Sequence, residues 1–578
     1  MSAFQRRKIY MSGTQQTSLE QARGRLVLMS AFFVFAYVIV LGRAADLSII
    51  QGELQRSGED SLYEVVDNQG AAEHIRGDIV DRNGVLLARS LKTASLYVDP
   101  VLIQEPKKVA EDLVKIFPDL SYGSLLQKLQ SKKRFVWLKR NISPEDQSKI
   151  LYLGYPGLNF KEEMYRIYPQ GALAVHLVGA SGIDGQGLSG LEAGFNDYLK
   201  TSDEPLQLTI DVRLEHVLKR EMSKTIKDFN AKAGAGIIMD VETGEILAAI
   251  SLPDYNPYDY NEASSNAKFN RLSLGVYELG SAFKVFSTAA YLEKTNSDVA
   301  RKFDVSNPIE IGRFKIRDYH PEKRSMTVPE IFMHSSNIGS AMMGEQVGTE
   351  DLKNFYKDIG LFDAPDFEIP EVGKPLIPDP WRDVNTMTAS FGHGIAVSPL
   401  QLIRAASSIV NGGYLVTPTL IAQKNHHKNA LKESRLRVVS PQTSHRMRQL
   451  MRLVVTEGTG TKAQVDGFLV GGKTGTAEKP GKGGYNRSQL ISSFLGVFPM
   501  DEPKYAIFVM VDEPQGNKES YGYATGGWVG APTVARVVSG MVSVLGIKPR
   551  TEKNFEGSLL KYVKTKEQIK KEQEIEAH

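Results

Sequence analysis

An uncharged apolar segment near the N-terminus constrains this chain more than any other feature. The residues from Leu26 to Gly42 carry no charge, and Ala44 and Ala45 extend the segment beyond Arg43. A bilayer core needs ~17 to 25 such residues, so the segment suits one spanning helix and is long for a signal peptide. Basic residues precede it and acidic residues follow it, which predicts a cytoplasmic N-terminus and an outside location for the rest. A cleaved signal is the alternative, because small residues flank Arg43 at the spacing a peptidase requires.

Composition excludes several classes of protein. Among 578 residues, 70 Lys and Arg stand against 67 Asp and Glu, so a strongly basic nucleic-acid binder is excluded. At 42% hydrophobic residues the chain is too apolar to be disordered throughout. It contains no cysteine, which removes disulfides, thiolate nucleophiles, zinc–thiolate sites and iron–sulfur clusters. No metal-ligand cluster stands out either, so we expect neither a metal nor a cofactor.

The hydrophobic pattern predicts a mixed α/β protein with an antiparallel sheet. Asn83-Gly84 predicts a hairpin turn within 74–88, and Asp211 predicts the cap of a helix reaching about Phe229. Strands are predicted at 206–211, 234–240, 245–251, 468–477, 492–498 and 506–512. The predicted organisation is a cytoplasmic N-terminus (1–25), an anchor (26–46), an elongated β-rich module (47–205), a second domain (206–548) and a charged tail (549–578). We expect that tail to be a solvated helix or disordered, without chemistry.

Ser281 and Lys284 form a serine–lysine pair of catalytic spacing. On a helix, residues three apart share a face, so the amine can reach the hydroxyl and take its proton. The pattern arises about twice by chance in such a chain, and it recurs at Ser265-x-x-Lys268 and Ser558-x-x-Lys561. Only Ser281 opens an apolar helical pattern, where free backbone N–H groups are available for an oxyanion. The alternative is a helix cap beside a surface lysine.

Two further short motifs carry hydroxyl, amide and amine groups. Ser335 and Asn337 follow a predicted helix and can line a cleft, although Ser264-Ser-Asn266 matches equally well and a simple turn is the alternative. Lys473, Thr474, Gly475 and Thr476 lie in a glycine-rich strand that allows close approach of a ligand. Both threonine hydroxyls can face one side and hold a carboxylate, whereas ideal alternation sends the lysine to the other side.

The strand motif also satisfies the pattern of a phosphate-binding loop. Residues 467–474 read G-x-x-x-x-G-K-T, but the variable positions are Phe, Leu and Val. Such a loop needs a helix starting at the lysine. Gly475, Pro480 and the following glycines oppose a helix, so we reject nucleotide binding.

In this order, Ser281-x-x-Lys284, Ser335-x-Asn337 and Lys473-Thr-Gly475 resemble the three motifs of the penicillin-binding proteins. Other segments are similar to class B members, which lack glycosyltransferase activity: 165–169, 184–187, 189–192, 243–247, 394–401, 493–496, 512–514 and 526–532. Those at 184–187 and 512–514 are closest to the cell-division type (FtsI-like, penicillin-binding protein 3). The chain departs from the family at Leu279 and Ala282, where Pro and Thr are common.

The resemblance implies a serine β-lactamase-like transpeptidase domain, with a central antiparallel sheet flanked by helices, and a role for each motif. Ser281 would attack the bond between two terminal D-alanines, with Lys284 as the base. Ser335 and Asn337 would carry the leaving-group proton and orient the peptide. Lys473, with Thr474, Gly475 and Thr476, would hold the substrate carboxylate. Backbone N–H groups of Ser281 and Thr476 would form the oxyanion hole, and His176 and His393 are expected to be structural.

The resemblance also implies a location and partners. We expect a single-pass inner-membrane protein with a periplasmic catalytic domain, peptidoglycan stem peptides as substrate, β-lactams as inhibitors, and an FtsW-type glycan polymerase and other septal proteins as partners. Nucleic acid is not expected. The alternatives are an elongation-type transpeptidase, a β-lactam sensor, a non-catalytic septal scaffold and a secreted β-lactamase.

Overall fold

The computed structural model describes residues 75–312, 314–422, 435–481, 484–550, 555, 557–565 and 567–569. The predicted anchor at 26–46 lies outside the described residues. Within the described ranges, no helix is both long and apolar enough to cross a bilayer.

The N-terminal part is built on a five-stranded sheet. Its strands are β1 (Ile79–Val80), β2 (Leu86–Val98), β3 (Val136–Ile142), β4 (Leu158–Ile167) and β5 (Leu206–Gln207). The long strand β2 pairs antiparallel with β1, β3 and β4. The predicted turn between β1 and β2 is confirmed, because Asp81 accepts hydrogen bonds from Asn83 N and Val85 N and Gly84 has a φ of +83°.

The predicted strand at 206–211 is wrong in length. It ends at Gln207 and pairs parallel with β1 of the N-terminal sheet. From Leu208 the chain forms an isolated bridge to Ile421 and single backbone hydrogen bonds to Leu420 and Leu247, and Asp211 then caps the next helix through Arg213 N. Alternation of apolar residues predicts an extended chain here, but it does not identify the strand that will lie beside it.

Short helices cover the N-terminal sheet. They are α1 (Pro106–Ile116), α2 (Tyr122–Leu129), α3 (Pro144–Leu153), α4 (Val175–Val178), α5 (Gly190–Gly194) and α6 (Asn196–Thr201). The first three of these helices bury one face of β2 and β3 in a core that includes Leu96, Leu113, Leu129 and Leu138.

A buried carboxylate ties the N-terminal part together. Glu192 in α5 is fully buried and forms ion pairs with Arg76 at 2.6 Å and with Arg166 at 2.7 Å. Arg76 also donates to the Glu192 and Gly185 carbonyls. The two guanidinium groups share one carboxylate out of water, and this shared ion pair holds β4 and α5 in one arrangement.

The larger part is centred on a second antiparallel sheet, which confirms the predicted sheet type. Its order is β12-β13-β14-β6-β7, made of β6 (Ala233–Asp240), β7 (Ile246–Leu252), β12 (Gly471–Gly481), β13 (Gly484–Phe498) and β14 (Tyr505–Asp512). The small strands of two separate pairs are β8 (Lys302–Asp304), β9 (Ile309–Ile311), β10 (Phe314–Ile316) and β11 (Ser325–Thr327). Strand β12 is an edge strand, so its outer side is open to other elements.

Helices cover both faces of this sheet. They are α7 (Val212–Asp228), α8 (Ser265–Lys268), α9 (Lys284–Lys294), α10 (Val328–His334), α11 (Asn337–Val347), α12 (Thr349–Asp358), α13 (Asp383–Ala389), α14 (Pro399–Val410), α15 (Pro441–Thr456), α16 (Gly530–Leu545) and α17 (Gly557–Leu560). Helices α7 and α16 pack together on one face, and α9, α14 and α15 lie on the other. This arrangement is a three-layer α/β domain.

The prediction of a solvated C-terminal tail is wrong for the described residues 555 and 557–565. Leu559 is fully buried, and Thr327 Oγ1 at the start of α10 donates to the Tyr562 carbonyl at 2.7 Å. Gln449 of α15 donates to the Phe555 carbonyl. The apolar residues between the charged ones therefore let this segment pack against α10 and α15.

Candidate active site

Ser281 lies in a single turn of 3-10 helix, Gly280–Phe283, that leads directly into α9. Residues three apart eclipse each other in this geometry, so Ser281 and Lys284 face the same way. Gly280 has a φ of +52°, and a Cβ added there would lie 2.5 Å from the Thr476 carbonyl oxygen. The absence of a side chain thus lets the Ser281 turn lie directly against strand β12.

Lys284 is fully buried and makes three hydrogen bonds to the second motif. Its Nζ donates to the carbonyl of Ser335, to Ser335 Oγ at 3.1 Å and to Asn337 Oδ1 at 2.7 Å. Burial lowers the pKa of Lys284 to about 7, although the charge of nearby Asp318 raises it. At neutral pH a substantial fraction of this amine is therefore uncharged and able to accept a proton.

Ser335 occupies the junction between α10 and α11 in the left-handed conformation, with a φ of +61°. Non-glycine residues adopt this conformation rarely, and it is a form of local strain found at functional sites. It directs both the carbonyl and the hydroxyl of Ser335 at Lys284.

The junction is held by Asp318, which the sequence analysis missed. Its carboxylate accepts hydrogen bonds from Ser336 Oγ at 2.7 Å, Asn337 N at 2.5 Å and Ile338 N at 3.0 Å. It therefore caps α11 from outside the helix. Asp318 lies 18 residues before Ser336 in an irregular loop, so no local pattern links the two.

Lys473 approaches the same hydroxyl from strand β12. It is fully buried, its Nζ donates to Ser335 Oγ at 2.8 Å, and it lies 5.9 Å from the centre of the Phe332 ring. Burial, and then the charge of Lys284, hold the pKa of Lys473 well below its usual range. The Ser335 hydroxyl consequently lies between two amines that do not favour being charged together.

Alternation along β12 places Lys473 and Thr474 on opposite faces, but the lysine side chain still reaches Thr474. Its Nζ lies 3.4 Å from Thr474 Oγ1, while Thr474 Oγ1 also bonds Thr459 Oγ1 at 2.9 Å. Because β12 continues as a strand to Gly481, no helix starts at Lys473. This geometry agrees with the rejection of a phosphate-binding loop.

Gly475 and Thr476 complete the strand side of the site. A Cβ on Gly475 would lie 2.2 Å from Ser493 Oγ and 2.8 Å from the Leu279 carbonyl, so only glycine fits against the Ser281 turn. Thr476 is partly exposed, and its Oγ1 accepts a hydrogen bond from Gly526 N at 3.0 Å. The structure thus joins Lys284, Ser335, Asn337 and Lys473 through hydrogen bonds, and it packs the Ser281 turn against β12 at Gly475 and Thr476.

A second group of side chains beside Ser281 was also missed. Glu278 accepts hydrogen bonds from Tyr485 Oη at 2.9 Å and from Gly394 N at 3.2 Å. The His393 ring stacks on the Tyr485 ring, with centroids 5.2 Å apart. Glu278 lies three residues before Ser281, but nothing in the sequence marks it as a site residue. Tyr485 lies more than 200 residues away in the sequence, so its contact could not be anticipated.

The decoy motifs have ordinary structural roles. The Lys268 amine lies 4.9 Å from the Tyr260 ring centre, and Ser264 caps α8 by accepting from Ala267 N. His176 is buried, with Nε2 2.7 Å from the Ala267 carbonyl oxygen. Among the described residues, no group of three or more His, Asp or Glu is arranged to hold a metal ion.

Comparison with known proteins identifies the family to which this chain is similar. The family described as "Penicillin binding protein transpeptidase domain" matches residues 234–538, and "Penicillin-binding Protein dimerisation domain" matches residues 72–230. The probable peptidoglycan D,D-transpeptidase FtsI of Caulobacter vibrioides is 36% identical, over 92% of this chain and 90% of the relative. The probable peptidoglycan D,D-transpeptidase PenA of Neisseria gonorrhoeae is 31% identical, over 91% of this chain and 94% of the relative.

A solved structure supports the fold. The peptidoglycan synthetase of Bifidobacterium adolescentis aligns with a TM-score of 0.65 and 23% identity, covering 83% of this chain and 97% of that one. The family matches and the sequence relatives confirm the resemblance to the penicillin-binding proteins. This chain belongs to the penicillin-binding protein transpeptidase family, and its sequence relatives include FtsI-type D,D-transpeptidases.

Proposed function

We propose that this protein cross-links peptidoglycan stem peptides as a D,D-transpeptidase, through an acyl-Ser281 intermediate, during septal wall synthesis. One observation carries the proposal. Two buried amines, Lys284 and Lys473, share the hydroxyl of Ser335 beside the turn that bears Ser281. This arrangement can move a proton away from a serine nucleophile and deliver it to a leaving group.

In the acylation step, Ser281 Oγ attacks the carbonyl carbon between the two terminal D-alanines and gives its proton to the neutral Lys284 amine. The C–N bond then breaks. The proton passes from Lys284 through Ser335 Oγ to the departing D-alanine nitrogen, and the peptide remains as an ester on Ser281. Because burial brings the pKa of Lys284 to about 7, this amine is suited to take the proton and to release it.

In the second step, the amine of a neighbouring stem peptide attacks the ester carbonyl. Its proton moves to Lys284 and the Ser281 oxygen recovers a proton, so the enzyme returns to its starting state with one new amide bond formed. Asn337 Oδ1 keeps the Lys284 amine in place throughout.

Substrate recognition is assigned to strand β12. Lys473, Thr474, Gly475 and Thr476 would bind the terminal carboxylate and the peptide backbone. The N–H groups of Ser281 and Thr476 would form the oxyanion hole, where each donor is typically worth ~3 kcal/mol. The support is the close contact of the Ser281 turn with β12 at Gly475 and Thr476.

The proposed setting is the inner membrane, with one spanning helix, the N-terminus in the cytoplasm and the catalytic domain in the periplasm. The apolar segment at 26–42 and the charges around it support this topology. An FtsW-type polymerase and other septal proteins are the proposed partners, and β-lactams, which mimic the D-Ala-D-Ala end, the proposed inhibitors.

The test is intact-protein mass spectrometry of the detergent-solubilised chain after exposure to benzylpenicillin. We expect one persistent adduct that disappears in Ser281→Ala. The matched control is Ser265→Ala, which removes the serine of a decoy motif and should keep the adduct. No adduct on folded protein would favour the scaffold, and rapid loss of the adduct with turnover would indicate a β-lactamase. An adduct without cross-linked product from polymerised glycan would favour the sensor.

A further inference from the structure

A carboxylate with neutral hydrogen-bond donors precedes the nucleophile by three residues. Among the described side chains, the oxygens of Glu278 accept hydrogen bonds from Tyr485 Oη and from Gly394 N. Among the described residues, no Lys, Arg or His pairs with it. Burial raises the pKa of Glu278, against the effect of these two donors. Neutral donors stabilise the negative charge of a half-buried carboxylate only in part.

Glu278 belongs to the wall of the active site. We call Glu278, His393 and Tyr485 the entrance cluster. A Cβ on Gly392 would lie 2.1 Å from the Gly280 carbonyl, so the loop that carries His393 contacts the Ser281 turn. Burial, and then the charge of Lys284, lower the pKa of His393 to about 4, which places an uncharged imidazole within electrostatic range of the site. Tyr485 reaches the cluster from the hairpin of β12 and β13.

Asp318 also lies near Lys284, but its oxygens accept hydrogen bonds from the start of α11. Lys284 and Lys473 both lie in the cleft, where positive charge suits the carboxylate at the end of the donor peptide. The acceptor peptide has the opposite need, because a primary amine has a pKa near that of lysine, about 10.4, and arrives as an ammonium ion. Each of the two lysines repels such a group whenever it carries a proton. An ionised carboxylate can accept about four hydrogen bonds, and neutral donors leave part of that capacity unused at Glu278.

We propose that Glu278 binds the ammonium group of the acceptor stem peptide as that peptide approaches the acyl-enzyme. The inference rests on the proposed function, since it concerns the second substrate of the same reaction. Glu278 is then a specificity-determining residue for amines over water. Tyr485 and His393 are positioning residues that hold its carboxylate toward the cleft.

The experiment measures how the acyl-enzyme divides between competing nucleophiles. The detergent-solubilised full chain is acylated by a thioester ending in D-alanine, in the presence of equal concentrations of glycinamide, held at a pH where it is largely an ammonium ion, and hydroxylamine, which is uncharged there. The ratio of glycinamide product to hydroxylamine product depends only on molecules that have been acylated. Slower acylation or partial misfolding therefore does not alter it.

Glu278→Gln should lower this ratio by about tenfold, since a charged hydrogen bond replaced by a neutral one changes binding by about one order of magnitude. Tyr485→Phe keeps the carboxylate and should lower the ratio by much less. Glu350→Gln, at an exposed position on α12, is the matched control and should give the ratio of the unaltered protein.

Two results would overturn the inference alone. One is an unchanged ratio in Glu278→Gln, and the other is an equal fall in Glu278→Gln and Tyr485→Phe, which would mean that the carboxylate acts only by holding the hairpin. Failure of the thioester to acylate Ser281 at all would overturn the proposed function together with the inference.

Discussion

Replacing Asp318 with asparagine separates the two effects that this carboxylate has on the active site. The side chain keeps its shape, so Oδ1 can still accept from Asn337 N and Ile338 N, while the charge is removed. Because the negative charge of Asp318 raises the pKa of Lys284, its removal must lower that pKa below the present value of about 7. More of the amine is then neutral at any acidic pH.

The size of the effect follows from the contacts between the two groups. Asp318 bonds the backbone of Asn337, whose side chain bonds Lys284, so only one residue separates the charges. At a separation on the order of 8 Å and an effective dielectric constant of about 20, the interaction is about 2 kcal/mol at most. A change of 1.4 kcal/mol lowers a pKa by about one unit. With a starting pKa of about 7, the neutral fraction at pH 6 would then rise from roughly one tenth to roughly one half.

The assay is the second-order rate of acylation by a fluorescent penicillin between pH 5.5 and 9, measured for the variant and the unaltered protein. We expect the ratio of variant to unaltered rate to rise about fivefold from pH 9 to pH 6. Loss of the Ser336 hydrogen bond lowers the rate at every pH, so it does not change this trend. Asp358→Asn, on the exposed end of α12, is the control and should give a constant ratio.

A ratio that stays constant, or that falls toward acidic pH, would refute the reasoning. Either result would mean that acylation is not limited by the protonation of Lys284, and that Asp318 acts on the site through backbone position alone.

Three other changes test the packing of the Ser281 turn and two buried carboxylates elsewhere in the chain. Gly280→Ala forces an alanine into a φ of +52° and places its Cβ 2.5 Å from the Thr476 carbonyl, so penicillin acylation should fall by about tenfold or more, as measured by mass spectrometry. Burial raises the pKa of Glu215 to about 8, above its unfolded value, so the stability it confers is present at acidic pH and is lost as the pH rises toward 8. Relative to the unaltered protein, the unfolding free energy of Glu215→Gln should therefore rise by about 3 kcal/mol between pH 5.5 and pH 8, as measured by urea unfolding. A difference that stays constant with pH would contradict this assignment. Glu192→Gln leaves Arg76 and Arg166 buried without their carboxylate and should cost about 3 to 5 kcal/mol of unfolding free energy. By contrast, Asp78→Asn, which breaks the more exposed pair with Arg89, should cost less than about 1 kcal/mol, and equal melting temperatures for the two variants would be evidence against this reasoning.

Sequence could predict those parts of the fold that depend on the spacing of apolar residues along a short segment. The helix α7 with its Asp211 cap and the strands of the main sheet follow from spacing over a few residues. What sequence could not predict depends on segments that meet only in the folded protein. Examples are the pairing of β5 with β1, the docking of Leu559, and the contact of Glu278 with Tyr485.

The three motifs also depend on the folded chain, because the backbone conformation decides what each of their side chains can contact. Two Ser-Ser-Asn runs occur in the chain, at 264–266 and 335–337. In the first, Ser264 is extended, with a φ of −63°, and its hydroxyl caps a short helix through Ala267 N.

In the second run the capping role passes to the middle residue. Ser336 caps α11 through Gly339 N, which releases the hydroxyl of Ser335 for the two lysines. Ser335 does this in the left-handed conformation, which costs of order 1 kcal/mol or more for serine and must be imposed by its surroundings. The helix α10 begins with a capping box at Thr327 and Glu330, and Asp318 holds the start of α11. The position of the Ser335 hydroxyl between the two lysines therefore depends on the two caps that flank it, and these caps are too far apart in sequence for any short motif to contain both.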